Sequence, residues 1–349
     1  MKNCGFGLKG RFKILRHETI RHKIQDYKIK YFDHFQFSIF NFQLETVLDN
    51  IQDKTLIVIQ GPTASGKTAL GIALAKHFKT VVISADSRQF YKEMSIGTAK
   101  PSQKEQDGIK HYFIDSHSIK NPVSAATFEK EALRILEKEF QHHKVIILVG
   151  GSGMFIDALC EGLDDIPNNT RLRDELTNFV KENGLESLLE ELKVKDPSYY
   201  NFVDKKNPSR IIRAIEAIKI SGKSYTELRQ KQNKNRSFKI KRFVIDLPRE
   251  KLYERINQRV DSMIEQGLLD EVKNLYPHKN LQTLNTVAYS EIFDYLDSKT
   301  DFKKAIELIK QNTRRYAKRQ LTWFRRNKNN IWLKSQDTNN LLKEILQNF

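Results

Sequence analysis

The segment Gly61-Pro62-Thr63-Ala64-Ser65-Gly66-Lys67-Thr68 fits the spacing G-x-x-x-x-G-K-[ST], and each residue type has a task at a phosphate group. The glycines let the backbone curl until successive N–H groups face an anion, and a helix starting behind the loop adds the positive end of its dipole. Lys67 carries a mobile positive charge, and Thr68 offers a hydroxyl to Mg²⁺. The loop therefore predicts a site for a di- or triphosphate, lined by residues 61–68. It does not say that the ligand is ATP. The usual P-loop ATPase or GTPase has a second strand ending in a metal-holding Asp. Here the strand over 145–149 runs into Gly150-Gly151-Ser152-Gly153, and the chain contains no Asn-Lys-x-Asp guanine reader, which disfavours an NTPase motor or switch.

The elements that position this loop are readable from hydropathy. Thr55 to Gln60 is a short apolar, β-branched run of the buried parallel-strand type, and Leu70, Ala73, Leu74 and Phe78 then share one side of a helix. Further strands are expected over Thr80–Ser84 and Val145–Val149, with a helix from Thr127 to Phe140 between them. From about Asp164 to Arg236 the pattern becomes purely helical, with helices over Arg171–Asn183, Leu185–Lys193 and Pro208–Ser221, the last stopped by Gly222. A strand returns over Lys239–Leu247, and basic helices follow, notably Arg314–Arg326. The expected fold is α/β: a P-loop NTPase-like parallel sheet flanked by helices, carrying an all-helical insertion domain. The expected divisions are a basic N-terminal extension over 1–50, the first part of the core over 51–163, the insertion over 164–236 and the second part of the core over 237–349. The extension mixes basic residues with aromatics without a clean period; a weakly ordered leader, dispensable for the fold, is the expected reading, and a basic arm touching RNA is the alternative.

A formal charge of +17 over 349 residues favours a polyanionic partner, and nucleic acid fits better than an anionic membrane. No run approaches the roughly 20 apolar residues needed to cross a bilayer, and Lys, Arg and His interrupt the N-terminus, so a cytoplasmic location is expected. Cys4 and Cys160 are too few and too far apart for a disulfide framework or a cysteine zinc site, and Cys160 is expected in the core.

Beyond the loop, the sequence contains Ser84-Ala85-Asp86-Ser87-Arg88-Gln89-Phe90-Tyr91, Ile96-Gly97-Thr98-Ala99-Lys100-Pro101, His111-Tyr112-Phe113-Ile114-Asp115 and Gly150-Gly151-Ser152-Gly153-Met154-Phe155. Further on come Arg210-Ile211-Ile212-Arg213-Ala214, Ile220-Ser221-Gly222-Lys223-Ser224 and the closing run Thr313 to Phe324. This ordered set, spanning about Leu56 to Leu333, resembles the tRNA dimethylallyltransferase family. The resemblance implies a monomer that transfers a dimethylallyl group from dimethylallyl diphosphate to the N6 amine of the adenine beside the anticodon, tRNA position 37, in tRNAs reading codons that begin with U. It also implies that the loop holds the donor's diphosphate with Mg²⁺ rather than ATP, and that the partner is the tRNA anticodon stem-loop.

Among residues, the resemblance implies that Arg259 reaches the diphosphate beside Lys67 and Thr68, and that Asp86 is the general base. An adenine amine is a poor nucleophile whose attack leaves a proton to be removed, which a carboxylate at a strand end is suited to accept. The base must leave the anticodon stack, so base flipping is expected, with Ser87, Arg88 and Gln89 touching the displaced nucleotide and its neighbours. Ser152, Arg173, Ser209, Arg210, Ile211, Ile212 and Arg213 are expected to touch tRNA as well. Two positions depart from the family pattern: Ser152 where Thr is frequent keeps a hydroxyl, whereas Ser209 where Gln is frequent loses an amide's reach. On the closing helix, Arg314, Arg315, Lys318, Arg319, Arg325 and Arg326 suit an RNA backbone, while Tyr316, Trp323 and Phe324 are expected to pack into the core. A small-molecule P-loop kinase shares the loop and the missing strand-end Asp but would not need the positive charge.

Overall fold

The structure, a computed structural model, describes residues 53–230, 234–334 and 337–349. β1 (Thr55–Gln60) runs through the phosphate loop into α1 (Lys67–His77), followed by β2 (Val82–Ser84), β3 (His111–Tyr112) and α2 (Ala125–Glu139). β4 (Val145–Gly150) and α3 (Gly153–Glu161) come next. Three longer helices without a strand follow, α4 (Thr170–Asn183), α5 (Glu186–Lys195) and α6 (Pro208–Ser221). β5 (Lys239–Ile245) returns to the sheet, and then come α7 (Arg249–Glu265), α8 (Leu268–Leu275), α9 (Tyr289–Leu296), α10 (Phe302–Phe324), β6 (Ile331–Leu333) and α11 (Thr338–Leu346). The six strands form one parallel sheet in the order β3-β2-β4-β1-β5-β6. The basic extension over 1–50 lies outside the described residues. Among the described residues no helix is long and apolar enough to cross a membrane.

Helices cover both faces of the sheet, which is why β1 and β4 are buried at every position and read as continuous apolar runs. Their side chains still alternate. Leu56 and Val58 join Ile83, Phe128 and Phe155 on one face, while Ile57 and Ile59 join Leu70, Leu74, Phe243 and Ile245 on the other. Two strand ends differ from the sequence expectation. Thr80 gives its N–H to Ala75 O and its hydroxyl to Val145 O, closing α1 before β2 can begin at Val82. At the other end β5 stops at Ile245, although Asp246 still donates its N–H to Leu333 O of β6.

The helices over 170–221, with short turns at Pro197–Phe202 and Tyr225–Leu228, have an apolar cluster of their own built on Leu176, Leu192, Tyr199, Ile211 and Ile215. A further cluster joins α7, α8, α9 and α10 to Tyr91 and Met94. It contains the turn before α9, where Ala288 sits at φ 79°, ψ −37°, a conformation that costs a side chain of order 1–3 kcal/mol. Its surroundings hold it there: Ala288 N–H donates to Glu291 Oε2 at 2.8 Å, and Asn312 Nδ2 donates to Glu291 Oε1 at 2.7 Å. Ala288→Gly should therefore raise stability by about 1 kcal/mol, seen as a higher urea midpoint at unchanged slope. A lower midpoint would show that the buried methyl group contributes more than the strain costs.

Candidate active site

The phosphate loop takes its shape from two left-handed residues, Ala64 at φ 63° and Gly66 at φ 94°. Gly66 caps α1 without a side-chain acceptor, so the first-turn N–H groups of the helix have no capping side chain and face the loop's concavity. Lys67 Nζ donates to Pro62 O at 2.9 Å, across the loop. The loop is also tied from outside: Thr63 N–H donates to Gln320 Oε1 at 2.9 Å, and Gln320 Nε2 donates to Gly151 O at 2.9 Å. One buried amide of α10 thus joins the loop to the end of β4. Gly150 is needed there because a Cβ would lie 2.3 Å from Ala85 O, so a metal-holding carboxylate at that strand end is sterically excluded.

Asp86 follows β2 and faces the loop. A cavity of about 330 Å³ is lined by Lys67, Thr68, Asp86, Gln89, Glu105 and Arg259. A second, of about 100 Å³, shares Thr63, Asp86, Thr98, Ala99 and Arg259 with the first and continues toward Val287, Ala288, Tyr316 and Gln320. Asp86 and Arg259 therefore stand where a loop-side chamber meets a chamber on the α10 side. Arg259, from α7, places Nη1 3.3 Å from Thr63 Oγ1. Burial pushes the Lys67 ammonium down to about 8, with Asp86 opposing the shift and Arg259 adding to it. Burial lowers Arg259 as well, against the pull of Asp86 and Glu105. Tyr316 is pushed up to about 12, chiefly by burial and further by Asp86, so it stays a neutral phenol at physiological pH.

Residues 89–327 match the family model described as IPP transferase. Over 293 residues the chain is 46% identical to tRNA dimethylallyltransferase 1 of Bacteroides fragilis, covering 84% of this chain and 97% of that one. The chain belongs to the IPP transferase family. Among solved structures it resembles the tRNA isopentenylpyrophosphate transferase of Bacillus halodurans, with 36% identity, a TM-score of 0.62, and 84% of this chain and 95% of that one covered. It also resembles a eukaryotic dimethylallyltransferase whose structures are described as acting on tRNA, with 26% identity, a TM-score of 0.66, and 78% of this chain and 70% of that one covered.

In this IPP transferase family member, residues 61–68, Asp86, Ser87, Arg88, Gln89, Ser152 and Arg259 come together. Ser87 N–H donates to Ser152 Oγ at 3.0 Å and Ser152 Oγ donates to Ser87 Oγ at 3.1 Å, linking two expected tRNA contacts. Arg88 Nη1 donates to Thr283 O at 2.7 Å, which fixes the guanidinium beside the α10-side chamber. Arg173 and residues 209–213 lie instead in the helical insertion and line neither chamber. Ser209 and Arg210 are exposed, but Ile211 and Ile212 are buried in the insertion's apolar cluster, so their side chains offer no surface to RNA.

Arg173 and Arg213 also carry a structural burden that sequence reasoning did not foresee. Both guanidiniums bind the fully buried Glu216, with Arg173 at 2.9 Å and Arg213 at 3.0 Å, and Glu216 also accepts Asn169 N–H. Removing that carboxylate takes the shared counter-ion from both guanidiniums and the acceptor from Asn169 N–H, so Glu216→Ala should cost about 3 kcal/mol, the low end for a broken buried pair because both guanidiniums reach solvent and Arg213 keeps the carbonyls of Ile166 and Pro167. Hydrogen exchange should accelerate across α4 and α6 while β1 and β4 stay protected; uniform protection would contradict this role. On α10, Phe324 packs in the core as expected, and Trp323 donates Nε1 to Asp157 Oδ2 at 2.7 Å with Arg326 over its ring. Tyr316 departs from expectation by lining the α10-side chamber.

Proposed function

We propose that this protein transfers a dimethylallyl group from dimethylallyl diphosphate to the N6 amine of the adenine adjacent to the anticodon in tRNAs reading codons that begin with U. The observation that carries the reading is the arrangement of charge in the site: two half-buried cations, Lys67 and Arg259, converge on the phosphate loop and the start of α1, and the acids bearing on them are Asp86 and Glu105. The two carboxylates balance the two side-chain cations, and the N–H groups at the start of α1 add a partial positive charge of their own, which a diphosphate would meet. The relatives' names give the tRNA acceptor and the prenyl group. In the reaction the donor's C1–O bond breaks and an N6–C1 bond forms. The N6 proton passes to an Asp86 oxygen, and diphosphate leaves onto Lys67, Arg259 and the loop amides. Asp86, shared by both chambers, is the group able to meet donor on one side and acceptor on the other.

Thr68 lines the loop-side chamber with two carboxylates nearby, and among the described residues no cluster of three or more metal-ligating side chains exists. A hydroxyl plus diphosphate oxygens suits a hard divalent cation such as Mg²⁺, which would neutralise charge on the leaving diphosphate. The exposed Arg315, Lys318 and Arg319 of α10, with Arg325 and Arg326 just after it, match a nucleic-acid backbone. The same reading has the protein working in the cytoplasm as a monomer. Calorimetric titration with Mg²⁺ tests the donor: dimethylallyl diphosphate should bind, inorganic diphosphate should compete, and ATP should compete weakly. Tight ATP binding with phosphate transfer would assign the loop to a kinase instead.

A further inference from the structure

Glu271, on α8, lines neither chamber, yet its carboxylate is surrounded by four hydrogen-bond donors. It accepts the backbone N–H groups of Ser95 at 3.1 Å, Ile96 at 2.7 Å and Gly97 at 3.0 Å, and the hydroxyl of Tyr289 at 2.6 Å. Three successive amides converging on one acceptor is the arrangement by which backbone holds an anion, and here the anion belongs to the protein. Tyr289 is fully buried against the same turn, and a Cβ at Gly97 would fall 2.6 Å from its ring, so ring and backbone are in direct contact. Burial and the Glu271 charge push the Tyr289 hydroxyl far up, which keeps it a donor.

The turn held in this way leads directly into the site. Gly97, Thr98 and Ala99 line the α10-side chamber, and Thr98 and Ala99 also line the loop-side one. Ala99 sits at φ 48°, a left-handed conformation that needs support from its surroundings. Thr98 O and Ala99 O accept from Gln89 Nε2 at 3.2 and 3.1 Å. With its amide nitrogen engaged by two carbonyls, Gln89 has an acceptor oxygen left for a nucleotide, and such an oxygen pairs with an amine and repels a carbonyl.

We propose that Glu271 is a positioning residue for the acceptor side of the reaction: by gripping amides 95–97 it sets the Thr98 and Ala99 carbonyls, which orient the Gln89 amide beside Asp86. The proposal rests on the reading that an adenine enters there. Gln89 lines the loop-side chamber beside Asp86, and Thr98 and Ala99 line both chambers, but no hydrogen bond in this chain of contacts involves a residue of the phosphate loop, so acceptor handling and donor binding should separate.

The test uses full-length Glu271→Gln and Tyr289→Phe, with the wild type measured first. In Glu271→Gln an amide nitrogen replaces one of the accepting oxygens. The rate of transfer to tRNA should fall about tenfold to a hundredfold, the scale of a displaced reacting group, while dimethylallyl diphosphate affinity with Mg²⁺ stays within about twofold. Tyr289→Phe removes one of four contacts and should move the rate the same way by a smaller factor; it also serves if the Gln variant does not fold. Transfer by the wild type with both variants unchanged, or donor affinity falling in step with rate, would overturn the role of Glu271. Absence of transfer by the wild type would overturn the functional reading and the proposal with it.

Discussion

Asp86→Asn should lower the rate of prenyl transfer by about 10²–10⁴-fold, the usual contribution of a positioned general base, with tRNA affinity unchanged. The substitution is close to isosteric, so the loop around it should survive: Gln89 N–H donates to the Asp86 backbone carbonyl, which Asn retains. What disappears is a negative oxygen able to accept the N6 proton as the N6–C1 bond forms. Lys67 and Arg259 also lose the anion that opposes their lowering, so donor diphosphate should bind at least as well to the variant. The expected pattern is a large fall in single-turnover rate with donor and tRNA dissociation constants preserved. Near-normal turnover with intact tRNA binding would remove Asp86 from the chemistry and leave it a structural strand-end residue.

Lys67→Ala should have an effect of comparable size through the leaving group. Removing one preorganised cation from a developing negative charge costs about 10²–10³-fold in rate. The pH dependence separates the charge from the shape. In the free protein Lys67 is pushed down to about 8, so it is charged below that pH and neutral above it. Donor kcat/KM should therefore hold up to about pH 8 and decline above it, and donor binding above that pH should take up a proton. The stability contribution has the opposite sense. Because the folded value lies below the ordinary lysine value of 10.5, the unliganded protein carries the cost of the desolvated charge below pH 8 and sheds it between about 8 and 10.5. Lys67→Arg stays charged throughout, so its decline above pH 8 should vanish even if its absolute rate is lower. An unchanged decline in that variant would assign the titration to another group.

How much of this was legible in the sequence depended on whether the chemistry forces a residue type at a fixed spacing. The phosphate loop is such a case, since only glycine reaches φ 94° readily and only a loop between a strand and a helix presents its amides. The central strands were legible because burial on both faces writes them as unbroken apolar runs. β3 and β6, of two and three residues, are too short to carry a period. Asp86 and Arg259 were reachable only through resemblance, since a carboxylate after a strand and an arginine on a helix are unremarkable alone. Gln320 and Glu271 escaped notice because a polar residue on an amphipathic helix reads as solvated surface. Only the packing of α8 and α10 against the loops shows that these two face inward. At Ile211 and Ile212 the resemblance implies tRNA contact by the whole segment 209–213, whereas the helical period turns these two side chains into the insertion's core.

The most direct measurement of the central claim is nucleoside analysis of an unmodified tRNA with adenine beside the anticodon, incubated with the purified protein, Mg²⁺ and labelled dimethylallyl diphosphate. The account predicts label in N6-isopentenyladenosine at that position, with diphosphate released in equal amount. Label absent from tRNA but present in AMP, or phosphate transferred from ATP to another acceptor, would contradict it.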